Sequence, residues 1–238
     1  MTLAVQLFTV RDRLIEDRPG TLRALADAGY DAVEPFRAHL DPHALRADLD
    51  AAGLTVCSAH ADLLGADADA AFAAAPVLGT DTLIQAYLPP DRFAARETVA
   101  DTAKQLNAAA IRAAGTGLRL GYHNHHWEVG TLIDGTTALE VLADLLSPEV
   151  LLEVDLYWAA TGGADVPALL GRLGERVQFL HVKDGPATVE GPMTAVGEGV
   201  VPIAASLAAA PGAQRIVELD RCAGDVLEAL VTSAAALR

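Results

Sequence analysis

Three residues of the chain, Asp155, His181 and Glu218, each stand at the end of a short apolar run: EVD, FLH and IVE. Two carboxylates and one imidazole form a donor set that suits a divalent ion such as Mn²⁺, Mg²⁺, Co²⁺ or Zn²⁺. No cysteine joins the set, which disfavours a closed structural zinc site. Any one of these residues alone would be an ordinary polar group at a strand end, but together they predict a divalent metal site.

A second candidate is the segment GYHNHHWEVG, which places three histidines within four positions. Histidine binds metals and carries protons near neutral pH. We expect His123 to point inward as a fourth ligand or proton carrier, and His125 to contact substrate. Trp127 is expected to stack on the apolar face of a substrate ring, or else to pack at the base of a loop. Glu128 is expected to reach the substrate or a neighbouring histidine.

Short apolar runs alternate along the whole chain with longer amphipathic stretches, which predicts eight parallel βα units. The predicted strands are LAVQLF, DAVEPF, LTVCSAH, DTLIQAYL, GLRLGYHNH, VLLEVDLYW, VQFLHVKD and QRIVELD. Eight such units favour a single (β/α)8 TIM barrel over residues 1–238, somewhat shorter than the roughly 250 residues typical of that fold. An open doubly wound sheet is the competing architecture. No change of composition or linker marks a second domain.

Every predicted strand carries a polar group near its carboxyl end, while the body of the strand is mostly apolar. These groups are Gln6, Glu34, His60, Gln85, His123, Asp155, His181 and Glu218. The carboxyl ends of the strands form the catalytic face of a TIM barrel. Burying so many polar groups without partners would cost several kcal/mol each, so we expect a cation, a polar substrate and water to bind there.

Bulk composition excludes several classes of protein. The 238 residues are 52% hydrophobic, which is ample for a large core, and the net charge is −15. This charge and the absence of a Lys/Arg cluster disfavour a nucleic-acid partner. Two cysteines, Cys57 and Cys222, are too few for a disulfide framework and are expected to be reduced.

Targeting signals and other cofactor motifs are also absent from the sequence. No apolar run approaches the ~20 residues of a membrane span, and MTLAVQLFTVRDRL lacks the features of a signal peptide. We therefore expect a cytoplasmic protein without a membrane partner. No dinucleotide fingerprint, Walker loop, serine elbow or CxxC site appears, so hydride transfer, NTP hydrolysis and acyl transfer are not supported.

Seven segments, taken in order, resemble those of the xylose-isomerase-like TIM barrel superfamily. They are VQLFTVRD, VEPF, YHNHHWE, EVDLYW, FLHVKD, VGEGVVP and IVELD. The superfamily includes sugar phosphate isomerases and epimerases, inosose dehydratases and endonuclease-IV-type repair enzymes. The resemblance implies a single-metal site formed by Glu, Asp, His and Glu from the fifth to eighth strands. Asp155, His181 and Glu218 match the last three.

The fifth-strand glutamate of the superfamily has no clear match here. Its expected place falls at or near Gly121, and the strand carries His123 instead. Epimerases of the superfamily use that glutamate as one of two acid/base groups facing each other across the substrate. The opposing partner in this chain would be His123, His125, Glu128 or Lys183, or would be absent. This departure disfavours a symmetric two-base epimerisation and favours a lyase, hydratase or dehydratase.

The resemblance implies a divalent-metal-dependent isomerase or epimerase that acts on a sugar or related polyol ketone through an enediolate. Glu218 is then the candidate base, and Lys183 would neutralise oxyanion charge or protonate a departing hydroxyl. Glu34 and His60 would hydrogen-bond substrate hydroxyls. A metal-dependent lyase, dehydratase or hydratase of a keto-sugar or inosose is the alternative, because the same groups serve both reactions.

Two further alternatives are weaker. A repair endonuclease would need additional metal ligands, but Trp158 stands where such enzymes have a histidine, and GPMTAVGEG lacks an Asp-x-His. A metal-free sugar-binding accessory protein is favoured only by the missing fifth-strand glutamate. The expected partner is a small sugar or polyol, and the sequence is compatible with a homo-oligomer.

Overall fold

The strands of the protein follow the predicted βα alternation. The computed structural model describes residues 2–238 and contains eleven strands within that range. They are β1 (Leu3–Gln6), β2 (Ala32–Glu34), β3 (Thr55–Val56), β4 (Ala59–Ala61), β5 (Thr82–Gln85), β6 (Arg119–His123), β7 (Leu132–Ile133), β8 (Thr136–Thr137), β9 (Leu151–Asp155), β10 (Val177–Val182) and β11 (Gln214–Val217). β7 and β8 form a small antiparallel hairpin, and the other nine strands form one parallel sheet.

The parallel sheet curls into a nearly closed barrel with the strand order β3-β2-β1-β11-β10-β9-β6-β5-β4. β3 and β4 are two pieces of the predicted strand LTVCSAH, which is interrupted at residues 57 and 58. β3 pairs with β2 while β4 pairs with β5, and a bridge between Phe36 and His60 crosses the seam between them. When β3 and β4 are counted as one interrupted strand, the barrel has eight parallel strands. The predicted (β/α)8 fold is therefore confirmed.

Ten helices surround the barrel within the described residues. They are α1 (Arg11–Ala28), α2 (Pro42–Ala52), α3 (Ala68–Leu78), α4 (Arg96–Ala114), α5 (His126–Gly130), α6 (Ala138–Leu145), α7 (Leu156–Thr161), α8 (Val166–Leu173), α9 (Ile203–Ala209) and α10 (Val226–Ala236). Gly29 ends α1 with φ +97°, a conformation that glycine adopts without steric cost. None of the helices is long and apolar enough to span a membrane.

The sequence prediction missed parts of the helical layer. α1 consists of two parts, because the backbone at Asp17 is non-helical and Pro19 follows it within the helix. The short helices α5 and α7 occupy the loops that follow β6 and β9, where strand periodicity predicted no helix. α7 forms because Asp155 caps it: Oδ1 accepts the Trp158 N–H at 2.8 Å, satisfying one of the free donors at a helix start.

The interior of the barrel is divided into an apolar layer and a polar layer. A small buried cluster fills the layer at the amino ends of the strands: Ala4, Ala32, Ile84, Phe179 and Ile216, with Cys57 and Leu151 packed against it. The polar strand-end residues lie above this cluster, at the carboxyl ends. A larger cluster between the sheet and the helices supplies most of the buried apolar surface, which is the main source of folding free energy.

Candidate active site

A cavity of about 610 Å³ opens at the carboxyl ends of the strands, where a TIM barrel carries its active site. Its floor contains His60, His123, Lys183 and Glu218. Aromatic rings and loop residues form its walls, and these include Phe8, Phe36, Arg37, Asp62, Tyr87 and His125. Polar groups on the floor and aromatic rings on the walls suit a small polar ligand with apolar faces.

The three predicted metal ligands converge beside the floor. Asp155, His181 and Glu218 are buried, and one donor atom from each lies within 4.8 Å of the others. The parallel register pairs Asp155 with His181, and the Nδ1 atom of His181 lies 2.7 Å from Oε2 of Glu218. Adjacent strands β9, β10 and β11 therefore bring together the residues that the sequence separates.

His123 adds a fourth donor to this group. Its Nδ1 atom lies 3.0 Å from Oε2 of Glu153, and its Nε2 atom lies 3.8 Å from Oδ2 of Asp155. That Asp155 oxygen is buried and accepts no hydrogen bond of good geometry, although the Lys183 ammonium lies 2.8 Å from it. Two electron-rich atoms that face each other across this distance are stabilised by a cation between them. The residues present therefore fit a divalent metal ion held by Asp155, His181, Glu218 and His123.

Lys183 already contributes one cation to this group. Its Nζ atom lies 2.8 Å from Asp155 Oδ2, 2.6 Å from Glu218 Oε2 and 2.9 Å from Asp220 Oδ2. Burial alone would lower the pKa of Lys183, but attraction to the three carboxylates outweighs burial and raises it well above the usual value. Burial would likewise raise the pKa of Glu218, yet Lys183 and His181 hold it well below its usual range. Lys183 is therefore charged and Glu218 ionised.

A second buried network lies beneath the first. Oε2 of Glu153 lies 2.6 Å from Nε2 of His60 and 3.2 Å from Nε2 of His181. Oε2 of Glu34 lies 2.7 Å from that same His181 atom and accepts a 2.7 Å hydrogen bond from Gln6 Nε2. Burial lowers the pKa of His60, but the two glutamates outweigh it and raise the pKa overall. His60 thus lies between two acidic side chains.

The remaining predicted site residues lie at different depths. His60 and His125 line the cavity. Glu34 is fully buried below the floor, where Ser58 donates to its Oε1 at 2.6 Å. Glu128 is also fully buried and accepts hydrogen bonds from Tyr122 Oη at 2.6 Å and from the His125 backbone N–H at 3.0 Å. Neither glutamate reaches the cavity that was expected to hold substrate.

Trp127 does not line the cavity either. Its ring stacks on His125 with centroids 4.5 Å apart and the planes inclined by 5°. The His125 ring in turn lies edge-on to Tyr87, with centroids 5.3 Å apart. Of the two roles considered for Trp127, the packing role therefore matches its position, and it supports the cavity wall from behind.

Gly121 explains why the fifth strand has no glutamate at the place first considered. A Cβ atom on Gly121 would lie 2.5 Å from Cδ1 of Ile84 and would contact Leu151. Gly121 therefore belongs to the apolar lower layer. The residue of that strand at the level of the polar network is His123, which pairs with Glu153 in the register.

Sequence reasoning did not single out several residues of the site. The sequence did indicate the direction of Glu153, because it lies two residues before Asp155 in EVD and therefore on the same inward face of the strand. Asp220 is related to Glu218 in the same way. Tyr87 and Arg37 lie in loops beyond the strand ends, where no periodicity indicates direction.

Comparison with known proteins places this geometry in a family. Residues 22–211 match the family model described as Xylose isomerase-like TIM barrel. The chain belongs to this family. The resemblance seen in the sequence motifs is thus confirmed, and the match covers most of the barrel described above.

Individual relatives agree with the family assignment. An inosose dehydratase of Geobacillus kaustophilus (strain HTA426) is 35% identical over 69 residues, which is 29% of this chain but only 21% of the dehydratase. The chain therefore matches about a fifth of that relative's length.

Two solved structures share the fold at low sequence identity. A sugar phosphate isomerase/epimerase from Parabacteroides distasonis ATCC 8503 is 24% identical with a TM-score of 0.85, covering 99% of this chain and 93% of its own. The IOLI protein, whose structure contains a zinc atom, is 16% identical with a TM-score of 0.70, covering 100% and 96%. At these identities the two likenesses establish the barrel alone.

Proposed function

We propose that the protein is a divalent-metal-dependent isomerase or epimerase that acts on a sugar or related polyol ketone through an enediolate. The observation that carries this proposal is the convergence of Asp155, His181 and Glu218 beside the floor of the cavity, with His123 Nε2 3.8 Å from Asp155. A bound divalent ion would polarise a substrate carbonyl and stabilise the negative charge that develops after deprotonation. The family membership and the isomerase/epimerase and zinc-containing structural neighbours support the same function.

Two residues of the floor are suited to proton transfer. Glu218 is an ionised carboxylate that lines the cavity, so it is our candidate base for the carbon-bound proton. Lys183 lies 2.6 Å away, also lines the cavity and holds a proton at Nζ. It would stabilise the negative oxygen of the enediolate or donate a proton to a hydroxyl.

The walls of the cavity would orient the substrate. Tyr87, Phe8 and Phe36 present ring faces and edges to the cavity, and such surfaces pack against the C–H face of a sugar. In our proposal His60 and His125 hydrogen-bond substrate hydroxyl groups, since both line the cavity. Glu34 acts indirectly in this proposal, through His181, because protein groups rather than the cavity enclose it. Glu128 is enclosed in the same way but contacts neither a metal ligand nor the cavity, so we assign it no part in the reaction.

Dehydration is the second candidate, and two observations favour it. The inosose dehydratase similarity points to loss of water from a keto-polyol. In addition, the base candidate Glu218 and the acid candidate Lys183 lie side by side. A base and an acid on the same side of the substrate suit removal of a proton and departure of a neighbouring hydroxyl.

Product analysis in D₂O separates the two candidates. The protein would be loaded with Mn²⁺, Co²⁺, Mg²⁺ or Zn²⁺ and incubated with ketoses, aldoses and inososes, and the products followed by NMR. Deuterium incorporation without loss of water supports isomerisation or epimerisation, whereas a dehydrated product supports the lyase. Full activity in excess chelator, with no metal found by elemental analysis, would reject metal dependence.

A further inference from the structure

Glu153 has an unusual environment for a side chain that does not reach the cavity. It is 1% exposed, and it lies two residues before Asp155 on the same inward face of β9. A single oxygen, Oε2, lies within 3.2 Å of nitrogen atoms from three imidazole rings, those of His60, His123 and His181. Burying a carboxylate costs free energy unless it is paired or hydrogen-bonded, and the three imidazole rings supply its partners.

The contact with His123 fixes where that ring carries its proton. A carboxylate only accepts hydrogen bonds, so the ring nitrogen that faces it must donate. Nδ1 of His123 lies 3.0 Å from Glu153 and therefore bears the hydrogen. The other ring nitrogen, Nε2, faces Oδ2 of Asp155 at 3.8 Å, which is too far for it to donate a hydrogen bond to that oxygen. Nε2 is therefore the nitrogen of this ring that is available to a metal ion.

Glu34 has the same relation to His181. Its Oε2 atom lies 2.7 Å from Nε2 of His181, and Gln6 and Ser58 hold the carboxylate in place. Nε2 of His181 therefore carries a hydrogen. The other nitrogen, Nδ1, faces Glu218 at 2.7 Å and is the atom available to a metal ion once it loses its own proton.

We propose that Glu153 and Glu34 are positioning residues that set the ring hydrogens of the two histidine ligands, Nδ1–H on His123 and Nε2–H on His181. Each ring then turns its other nitrogen towards Asp155 and Glu218. His60 lies between the two glutamates, with Nε2 at 2.6 Å from Oε2 of Glu153 and 3.1 Å from Oε2 of Glu34, and so links them. This inference rests on the proposed function only for the metal position; the ring hydrogens are properties of the protein itself.

The direct test is ¹⁵N NMR of metal-free protein labelled at histidine, which distinguishes Nδ1–H from Nε2–H rings. The chain has seven histidines, and the His123 signals are those lost in His123→Asn. We expect Nδ1–H at His123 in the wild-type protein and a mixture of tautomers in Glu153→Gln, because an amide can donate as well as accept. An Nε2–H ring at His123 in the wild-type protein would overturn the proposal, whether or not the variant folds.

Metal affinity provides an independent readout. Loss of an outer hydrogen-bond partner of a histidine ligand typically weakens binding ~10–100-fold, so we expect that loss for Co²⁺ in Glu153→Gln. Glu128→Gln is the matched control, because Glu128 is an equally buried glutamate whose partners are Tyr122 and a backbone N–H rather than an imidazole ring. It should bind Co²⁺ within about twofold of the wild-type protein. Equal Co²⁺ affinity in both variants would overturn the positioning role.

Failure of this inference and failure of the proposed function give different results. The expected ring hydrogens without any Co²⁺ binding to the wild-type protein would defeat the metal-dependent function and leave the inference standing. Co²⁺ binding to a wild-type protein whose His123 ring carries its hydrogen on Nε2 would defeat the inference and leave the metal-dependent function standing. If Glu153→Gln does not fold, Glu34→Gln takes its place, with Co²⁺ affinity as the readout and the same ~10–100-fold loss expected; unchanged affinity in Glu34→Gln would overturn the positioning role.

Discussion

Replacing Lys183 by methionine tests how the carboxylates of the site are balanced. Methionine has nearly the length of lysine but no charge, so the change removes the ammonium and leaves the packing similar. In the wild-type protein that ammonium contacts Asp155, Glu218 and Asp220 at 2.6–2.9 Å. It is 1% exposed, so water does not replace it after the substitution.

The size of the effect follows from this burial. Removing one partner of a buried ion pair costs about 3–5 kcal/mol, because the remaining charge is left uncompensated. For a chain of 238 residues, each kcal/mol shifts the melting temperature by roughly 2–4 °C. We therefore expect Lys183→Met to melt roughly 6–20 °C below the wild-type protein in excess chelator.

A divalent ion should reverse much of this loss. A ligand present at 100 times its Kd stabilises the native state by about 2.7 kcal/mol. In the wild-type protein the ion competes with the Lys183 ammonium for Asp155 and Glu218, whereas in the variant it does not. Addition of Mn²⁺ or Co²⁺ should therefore raise the melting temperature of Lys183→Met more than that of the wild-type protein.

The assay is thermal unfolding followed by circular dichroism, with and without metal. Lys104 is the only other lysine of the chain and is exposed on α4, so Lys104→Met is the matched control. It should melt with the wild-type protein under both conditions. The reasoning would be refuted by a Lys183→Met protein that melts like the wild type in chelator, or by one that metal does not stabilise.

Three further predictions concern single residues. Asp155→Asn should keep a native circular dichroism spectrum but bind metal more weakly. Its loss of affinity should exceed the ~10–100-fold typical for an outer hydrogen-bond partner of a ligand, and unchanged affinity in isothermal titration would contradict this. Gly121→Glu should destabilise by several kcal/mol, since it puts a carboxylate against Ile84 in the apolar layer; a urea midpoint equal to the wild type's would count against this. Burial raises the pKa of Glu128 from 4.5 to about 7, so the native state binds more protons between these values and its stability falls as pH rises through them. Glu128→Gln should remove that part of the decline in urea midpoint between pH 5 and 7, and an identical decline in both proteins would contradict the assignment.

The barrel fold, and the location of the site at the carboxyl ends of the strands, could be predicted from the sequence. Strand periodicity, with a polar residue at the end of each run, located Asp155, His181 and Glu218 on neighbouring strands. Parallel register then brings their carboxyl ends to one edge whatever the details of the helices. This is why residues far apart in the chain could be grouped before any coordinates were known.

How deeply each side chain lies below the cavity could not be predicted in the same way. Alternation along a strand tells which face a side chain occupies, but not whether it ends in the cavity or in a network beneath it. Glu34 was expected to meet substrate, yet hydrogen-bond partners from other elements enclose it. Glu128 was expected to reach the substrate or a neighbouring histidine, and it accepts from Tyr122 and from the His125 backbone N–H. Glu153 became evident only when His60 and His181 were seen to converge on it.

The interruption between β3 and β4 and the short helices α5 and α7 could not be predicted from the sequence, for a related reason. They depend on local capping, as in the Asp155 contact with Trp158, and on the closure of the barrel seam between Phe36 and His60. Neither contact leaves a periodic pattern in the sequence.

Anomalous diffraction from crystals grown with Co²⁺ or Mn²⁺ tests the central claim most directly. The account predicts one strong peak at ~2.0–2.3 Å from a carboxylate oxygen of Asp155 and of Glu218, Nδ1 of His181 and Nε2 of His123. A protein that shows no peak there at saturating metal, or a peak bound by other residues, would contradict it.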